Sequence, residues 1–354
     1  MNLPNKLTLL RVILAPVFVA FALWDTLPCH WLIAAGVFAV AAITDAADGA
    51  IARRYALVTT FGKFLDPVAD KLVTTAAFLL FVHWGWCSPW VLVLVLLREY
   101  CMICLRLTAA RAGTVLPANL WGKIKTVLQM VSILVLLVLA ELQGILRLPG
   151  WLFPTLCAVL LWGTAVAAAI SGLTYFGALW RKGTADTLRP KISLDLSQVP
   201  VLDGNMKLRD WLPSVAASLQ VEVPQMLRHL RALALEEIAC AGLTAMAVLY
   251  FLAHGWLNPW PALVLFSLEF AVASFRLIAA AQNKEPPANS WTVARICALG
   301  VTIALYLTAL FGYAHLASAQ ITLVANLLFG ALCIAYMVFG LLTVKFGKKI
   351  TMDY

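Results

Sequence analysis

DAADGAIARRYALVTTFGKFLDPVAD, running from Asp45 to Asp70, is the stretch that decides how the chain is organised. Asp45 and Asp48 stand three apart at the end of one apolar run, and Asp66 and Asp70 stand four apart at the start of the next. On helices each pair shares a face. A linker of about a dozen residues lets the two helix ends converge, so four carboxylates surround one small volume at the edge of a membrane. Such a cluster is costly by itself. One Asp at the centre of a membrane helix costs roughly 2.5–3.5 kcal/mol, less near the interface, and mutual repulsion adds to that.

Hard divalent cations with oxygen ligands offset this charge, and two of them can share carboxylates about 4 Å apart. Two ions of Mg²⁺ or Mn²⁺ are therefore the expected cofactor, bound by Asp45, Asp48, Asp66 and Asp70. His83 falls at the opposite end of its run, which argues against imidazole ligation. The competing reading is structural: the acids end helices or pair with Arg53 and Lys71. The residues between them suit a phosphate. Gly49 removes a side chain beside Asp48, and Arg53 offers a fork for phosphate oxygens. Thr59 adds a hydroxyl and Gly62 a flexible point.

Composition sets the surroundings. The 354 residues are 63% hydrophobic and 12% charged, with a mean hydropathy of +0.90. A soluble domain is about 45–50% apolar and about 25% charged, so a water-soluble globule is excluded. Disorder and a disulfide-rich scaffold fit poorly. So does a transmembrane barrel, because the apolar runs are continuous and not alternating. Ten candidate spans fall at about 7–25, 31–51, 66–83, 89–110, 121–141, 152–179, 236–253, 260–281, 292–313 and 321–344. No small-residue cleavage site follows the N-terminal MNLPNKLTLLR, which leads into an uncleaved first span.

With the N-terminus in the cytoplasm, the inward segments hold Arg53, Arg54, Lys63, Arg111, Lys123, Lys125, Arg181, Lys182, Lys284, Lys348 and Lys349. The outward loops hold little base beyond Arg147, so the bias in basic residues puts both termini in the cytoplasm of an inner-membrane protein. Trp84, Trp86, Trp90, Trp151, Trp256 and Trp260 lie at the outward turns, as interfacial anchors do. The net charge of +9 thus serves topology and lipid headgroups, and no nucleic acid is expected as a partner.

The eight cysteines are scattered. Cys101 and Cys104 form a CxxC inside an apolar run with no second pair, and read as packing. Cys29 and Cys87 fall in outward loops, where a disulfide is the alternative to two free thiols. Residues 183–235 are far more polar, with Pro and Asp-Gly punctuation, and read as a cytoplasmic insertion or linker. Leu208–Leu219 and Met226–Leu235 are candidate amphipathic helices within it.

The spacing Asp45-x2-Asp48-Gly49-x2-Ala52-Arg53-x8-Gly62-x3-Asp66-x3-Asp70 resembles the signature of the CDP-alcohol phosphatidyltransferase family, with every fixed position present. NLPNKLTLLRVILAPVFV, GKFLDPVADKL and GKIKTVLQM extend the likeness across about residues 1–180, most closely to bacterial enzymes acting on CDP-diacylglycerol and glycerol 3-phosphate. The resemblance implies an all-α integral membrane protein: a six-helix bundle, commonly homodimeric, here with about four further transmembrane helices. It also implies metal ligation by Asp45, Asp48 and Asp66, with Asp70 as general base that also touches a metal. Gly49, Arg53 and Thr59, with Thr8 and Arg11, would hold the CDP group. The substrates would be CDP-diacylglycerol and glycerol 3-phosphate within the lipid bilayer, and the products phosphatidylglycerophosphate and CMP. Arg98, Arg106, Lys123 and Lys125 are candidates for the acceptor phosphate. For Arg98 an ion pair with its neighbour Glu99 competes, and Lys123 and Lys125 face different sides of a helix. Another acceptor alcohol (inositol phosphate, serine or phosphatidylglycerol) is the runner-up. A transporter or a non-catalytic scaffold is less favoured, because the acids sit at one membrane edge.

Self-comparison adds a feature of a different kind. Shifted by 170, GWCSPW at 85–90 meets GWLNPW at 255–260, and Pro117-Ala118-Asn119-x-Trp121 meets Pro287-Ala288-Asn289-x-Trp291. Roughly 18 of 59 positions agree between 67–125 and 237–295. The acids do not survive the shift: Asp45, Asp48, Asp66 and Asp70 meet Val215, Ser218, Glu236 and Cys240. Residues 1–182 thus read as the catalytic domain and 236–354 as a degenerate, non-catalytic membrane repeat. The repeat either drifted without a role or replaced a partner protomer, giving an intrachain pseudo-dimer in place of a homodimer.

Overall fold

The computed structural model describes residues 3–55, 60–111, 120–146, 149–182, 192–194, 219–221, 238, 241–281 and 300. It divides into two compact units, residues 1–172 with 238–354, and residues 173–237. The first unit is helical. Its helices are α1 (Leu3–Ala22), α2 (His30–Tyr55), α3 (Thr60–His83), α4 (Pro89–Arg111), α5 (Leu120–Leu146) and α6 (Leu152–Lys182), the last passing into the second unit. Two more follow, α7 (Ala241–Ala253) and α8 (Pro259–Ala281). In the second unit a short antiparallel pair, β1 (Ile192–Leu194) and β2 (Leu219–Val221), sets Ile192 opposite Val221 and Leu194 opposite Leu219. Leu219, expected to end an amphipathic helix, therefore opens a strand. The rest of that expected helix, the one at 226–235 and, apart from residue 300, the last two candidate spans lie outside the described residues.

One expectation is corrected. The dozen-residue linker between the acidic pairs is shorter, because α2 continues to Tyr55 and α3 already begins at Thr60. Ala52, Arg53, Arg54 and Lys63 are good helix formers lying past the apolar runs, so nothing in their chemistry stops a helix there. Both aspartate pairs therefore sit inside helices, one or more turns from the helix ends.

α1 packs on α2 and α3, and α2 packs on α5. Small residues permit the first contact: Ala15 and Ala22 of α1 and Ala34, Ala35 and Ala41 of α2 are buried, with Phe18 and Phe38 tilted together at 5.8 Å between ring centroids. α3 is the central helix. From Val68 onward it is buried on nearly every side, with Thr75 through Val82 all enclosed, because α1 covers one side and α8 the other. A helix apolar all round belongs in such a position.

The outer faces are apolar too. Val127, Val131 and Val135 form an exposed stripe on α5, and Val159, Trp162 and Val166 form one on α6. In water such stripes would be an association hazard, but among lipid tails they are in their own solvent. α1 (Asn5–Ala22), α5 (Leu120–Gln143) and α6 (Leu152–Tyr175) are long and apolar enough to cross a membrane, and α2, α7 and α8 carry shorter apolar stretches. The protein is an integral membrane protein. Charges inside α3 and α4 keep those helices from qualifying on composition alone, and those charges build the site.

Cys29 and Cys87 are both free thiols. Cys29 is exposed and Cys87 is buried in the α3–α4 turn, where desolvation pushes its thiol well above the usual range. In single-cysteine variants at pH 8, maleimide should modify Cys29 promptly and Cys87 only after denaturation. Equal rates before denaturation would show the turn to be open.

Candidate active site

One face of α1 organises the acids. Thr8, Arg11, Ala15, Phe18 and Ala22 recur at helical spacing and all are buried. At the far end this face is small and aromatic; at the near end it carries a hydroxyl and a guanidinium. Arg11 is 2% exposed, and a charge held that far from water needs a partner at hand. Asp45 supplies it, accepting a hydrogen bond from Arg11 Nη1. Asp45 lies one turn beyond buried Ala41 on α2, so the helix contact that packs the alanines also delivers the carboxylate. One turn earlier on α1, the Thr8 hydroxyl donates to Asp66 Oδ1 of α3 at 2.6 Å.

Asp70 follows one turn along α3 from Asp66. With Asp45 and Arg11 it lines a small cleft whose floor is Phe38, Ala69 and Val73 and whose wall includes Met130 of α5. Asp66 is exposed, and Asp45 and Asp70 are half-buried. Carboxylates from two helices thus meet beside one cation, with a route to solvent. Asp48, Gly49 and Arg53 lie on α2, but their side chains, like all of Thr59, fall outside the described residues. Among the described side chains, no three of His, Cys, Asp and Glu are placed to hold a metal ion by themselves. The described donors are carboxylate oxygens throughout, without thiolate or imidazole, and such a set suits a hard divalent cation.

A second ionic centre lies on the α4 side of α3. Lys71, next along from Asp70, reaches Glu99 Oε2 at 2.8 Å. Lys125 of α5 and Arg98 each donate to Glu99 Oε1 at 2.8 Å. Arg98 also donates to the Ser171 hydroxyl of α6 at 2.8 Å. One buried carboxylate, shared by three cations, therefore joins α3, α4 and α5, and Arg98 extends the connection to α6. The competing reading for Arg98, an ion pair with Glu99, is realised, and it coexists with a bond to another helix. Lys125 is buried while Lys123 is exposed, as their spacing requires. Arg106 is exposed toward the end of α4.

Lys71 is the functional candidate missed by reasoning from sequence, where it appeared only as a counter-ion for the aspartates. The available signal was Glu99, an acid inside an apolar run, since such residues pair or mark a site. The two centres have opposite balances. Around Thr8 and Arg11 the described acids outnumber the base, whereas around Glu99 the bases outnumber the acid. Glu99→Gln would leave one buried and two half-buried cations without this carboxylate, and breaking a buried pair costs about 3–5 kcal/mol. A fall of about 10 °C in the melting temperature of the detergent-purified protein is expected. An unchanged melting temperature would mean that the cations are held by other contacts.

The profile of the CDP-alcohol phosphatidyltransferase family matches residues 1–170, which contain all the acids just described. The chain is 38% identical over 190 residues to the CDP-diacylglycerol–glycerol-3-phosphate 3-phosphatidyltransferase of Bacillus subtilis, covering 51% of this chain and 95% of that protein. It is 44% identical over 135 residues to a probable phosphatidylglycerophosphate synthase of Mycobacterium tuberculosis, covering 37% of this chain and 64% of that one. It is 35% identical over 178 residues to a CDP-diacylglycerol–glycerol-3-phosphate 3-phosphatidyltransferase of Rickettsia felis, covering 50% and 94%. A likeness that spans nearly the full length of two such enzymes, on the segment that carries the acid cluster, makes the assignment: the chain belongs to the CDP-alcohol phosphatidyltransferase family.

Proposed function

We propose that this chain transfers the phosphatidyl group of CDP-diacylglycerol to glycerol 3-phosphate, releasing CMP and forming phosphatidylglycerophosphate. The observation that carries the proposal is the convergence of Asp45, Asp66 and Asp70 on Thr8 and Arg11. It occurs within a segment shared with relatives named for this reaction. Two divalent ions, Mg²⁺ or Mn²⁺, held by Asp45, Asp48, Asp66 and Asp70, would supply charge neutralisation for the diphosphate. The residues of the chain do the rest. Gly49, Arg53 and Thr59 hold the CDP group. Thr8 and Arg11 fix the rotamers of Asp66 and Asp45, and Arg11 keeps the Asp45 carboxylate at the cleft.

Asp70 takes the proton from a glycerol 3-phosphate hydroxyl. The freed oxygen attacks the lipid-linked phosphorus, a new P–O bond forms, and the bond to the CMP phosphate breaks in line with it. The acceptor brings its own phosphate, and the excess positive charge around Glu99 suits it. Lys71, Lys125 and Arg98 are tied to that carboxylate, so the centre attracts an anion as a preset field. Exposed Arg106 and Lys123 are free in position to meet the acceptor directly. This charge balance favours a phosphorylated acceptor over serine.

CMP release from CDP-diacylglycerol should be greatest with glycerol 3-phosphate among a panel that includes serine, inositol phosphate and phosphatidylglycerol. It should stop on chelation and return with Mg²⁺. Asp70→Asn should lower turnover about 10²–10⁴-fold, the usual contribution of a general base, while binding of the liponucleotide survives. Wild-type turnover in that variant would remove Asp70 from the role.

The site faces the cytoplasm in this proposal, within the inner membrane and with both chain termini on the same side. The α1–α2 turn bearing Cys29 then faces outward. A membrane-impermeant maleimide should label a single-cysteine variant retaining Cys29 in intact cells. Labelling only after the membrane is opened would reverse the orientation.

A further inference from the structure

α3 and α4 have a second apolar side, away from α1, and the chain covers it with its own later helices. α8 packs along both α3 and α4. On α7, Gly242 lies against Leu97 of α4 so closely that an added Cβ would stand 2.8 Å from Leu97 Cδ2. The buried residues of α7 and α8 belong to the same continuous core as those of α1 to α6.

The geometry of the two helical hairpins repeats at the interval seen in the sequence. After α3, Gly85 takes φ 73°, and the amides of Trp86 and Cys87 both donate to the carbonyl of Phe81. After α7, Gly255 takes φ 70°, and the amides of Trp256 and Leu257 both donate to the carbonyl of Phe251. Each of these positions is 170 residues from its counterpart. The left-handed glycine that closes the helix is needed in both, because a Cβ is strained at that φ.

The decisive contact lies between the hairpins. Tyr100 of α4 stacks on Phe270 of α8, with ring centroids 5.3 Å apart and 17° between planes. These residues are also 170 apart. In a two-fold interface, a residue meets its own counterpart only beside the axis, and all other contacts come in exchanged pairs. With α7 standing for α3 and α8 for α4, the contacts observed are α4 on its counterpart, α3 on the counterpart of α4, and α4 on the counterpart of α3. That is the set a two-fold axis beside Tyr100 would produce.

We infer that α7 and α8 hold the place of a second copy of α3 and α4, so that the protein is an intrachain pseudo-dimer working as a single chain. The inference deepens the proposed function by naming the partner of the catalytic half, and it takes the location of the one catalytic centre from that reading. The positions answering to Asp66 and Asp70 are Glu236 and Cys240, so the second half supplies the packing face without the acid cluster. The partner surface is thereby present at fixed stoichiometry, and no concentration of chains is needed to complete it.

Cross-linking the full chain tests this, in a background with the eight natural cysteines changed to Ala. In Tyr100→Cys, oxidation should give no covalent dimer. In a homodimer built on α4, the same position would meet its own copy and link two chains, and such a dimer would overturn the inference. In Leu97→Cys/Gly242→Cys, which also removes the leucine that crowds Gly242, oxidation should link peptides containing positions 97 and 242 at the mass of one chain. Should the substituted background fail to fold, or neither disulfide form, the mass of the wild-type protein in lipid nanodiscs decides. One chain of 38.6 kDa per particle is expected, and two chains per particle overturn the inference. CMP release is read separately: a cross-linked single chain that never releases CMP would sink the enzymatic reading and leave the pseudo-dimer standing.

Discussion

A guanidinium enclosed among membrane helices must find a carboxylate, and most of the site's geometry follows from how Arg11 meets that demand. Its partner, Asp45, is brought within reach by the alanine contact between α1 and α2. Once Arg11 is anchored, Thr8 sits one turn away on the same face, and its hydroxyl positions Asp66. α3 is thereby set against α1 at the register that turns Asp70 toward the cleft. A buried ion pair contributes little net stability once desolvation is counted. What it contributes here is position: α2 cannot slide along α1 without leaving Arg11 unpaired, and α3 cannot without losing the Thr8–Asp66 hydrogen bond.

The ionic centre at Glu99 works on the other flank of α3 by a similar rule with the opposite sign. A single carboxylate holding Lys71, Arg98 and Lys125 fastens α3, α4 and α5, and Arg98 extends the connection to Ser171 on α6. Polar contacts of this kind organise helices where lipid offers no hydrophobic driving force between them. The consequence for chemistry is a gradient across one helix, acid-rich toward α1 and base-rich toward α4. In the proposed reaction the diphosphate would lie on the first flank and the anionic acceptor on the second. Asp70 and Lys71, adjacent in the chain, mark the boundary between them.

Packing along α3 explains why the helix tolerates such charge at its start. From Val68 to Val82 most of its side chains are enclosed, with α1 and α8 packed along it, so Asp66 and Asp70 are carried on a helix held from two sides. A catalytic group gains from that placement, since its rotamer and position are held by packing on both sides.

The placing of Asp45, Asp66 and Asp70 near one face of α1 was legible because intervals of three and four leave little choice of face once the helices are granted, and the apolar runs grant them. Membrane residence was equally plain, since 63% hydrophobic residues cannot be hidden in water. The extent of the helices was less so: apolar runs stop at the membrane edge, whereas α2 and α3 continue past it through basic residues that water solvates. That Glu99 needs a partner was readable from its place in an apolar run, but its choice of Lys71 and Lys125 was not, because it joins side chains 28 and 26 positions apart and no local periodicity records it. The stacking of Tyr100 on Phe270 lay half in view. The interval of 170 was in the sequence, but which of the many residues so related would touch depends on where the axis falls, and only the packing of helix against helix decides that. Local intervals determine which side chains share a face; which faces meet is settled by steric fit and by the charges that must be paired when they do.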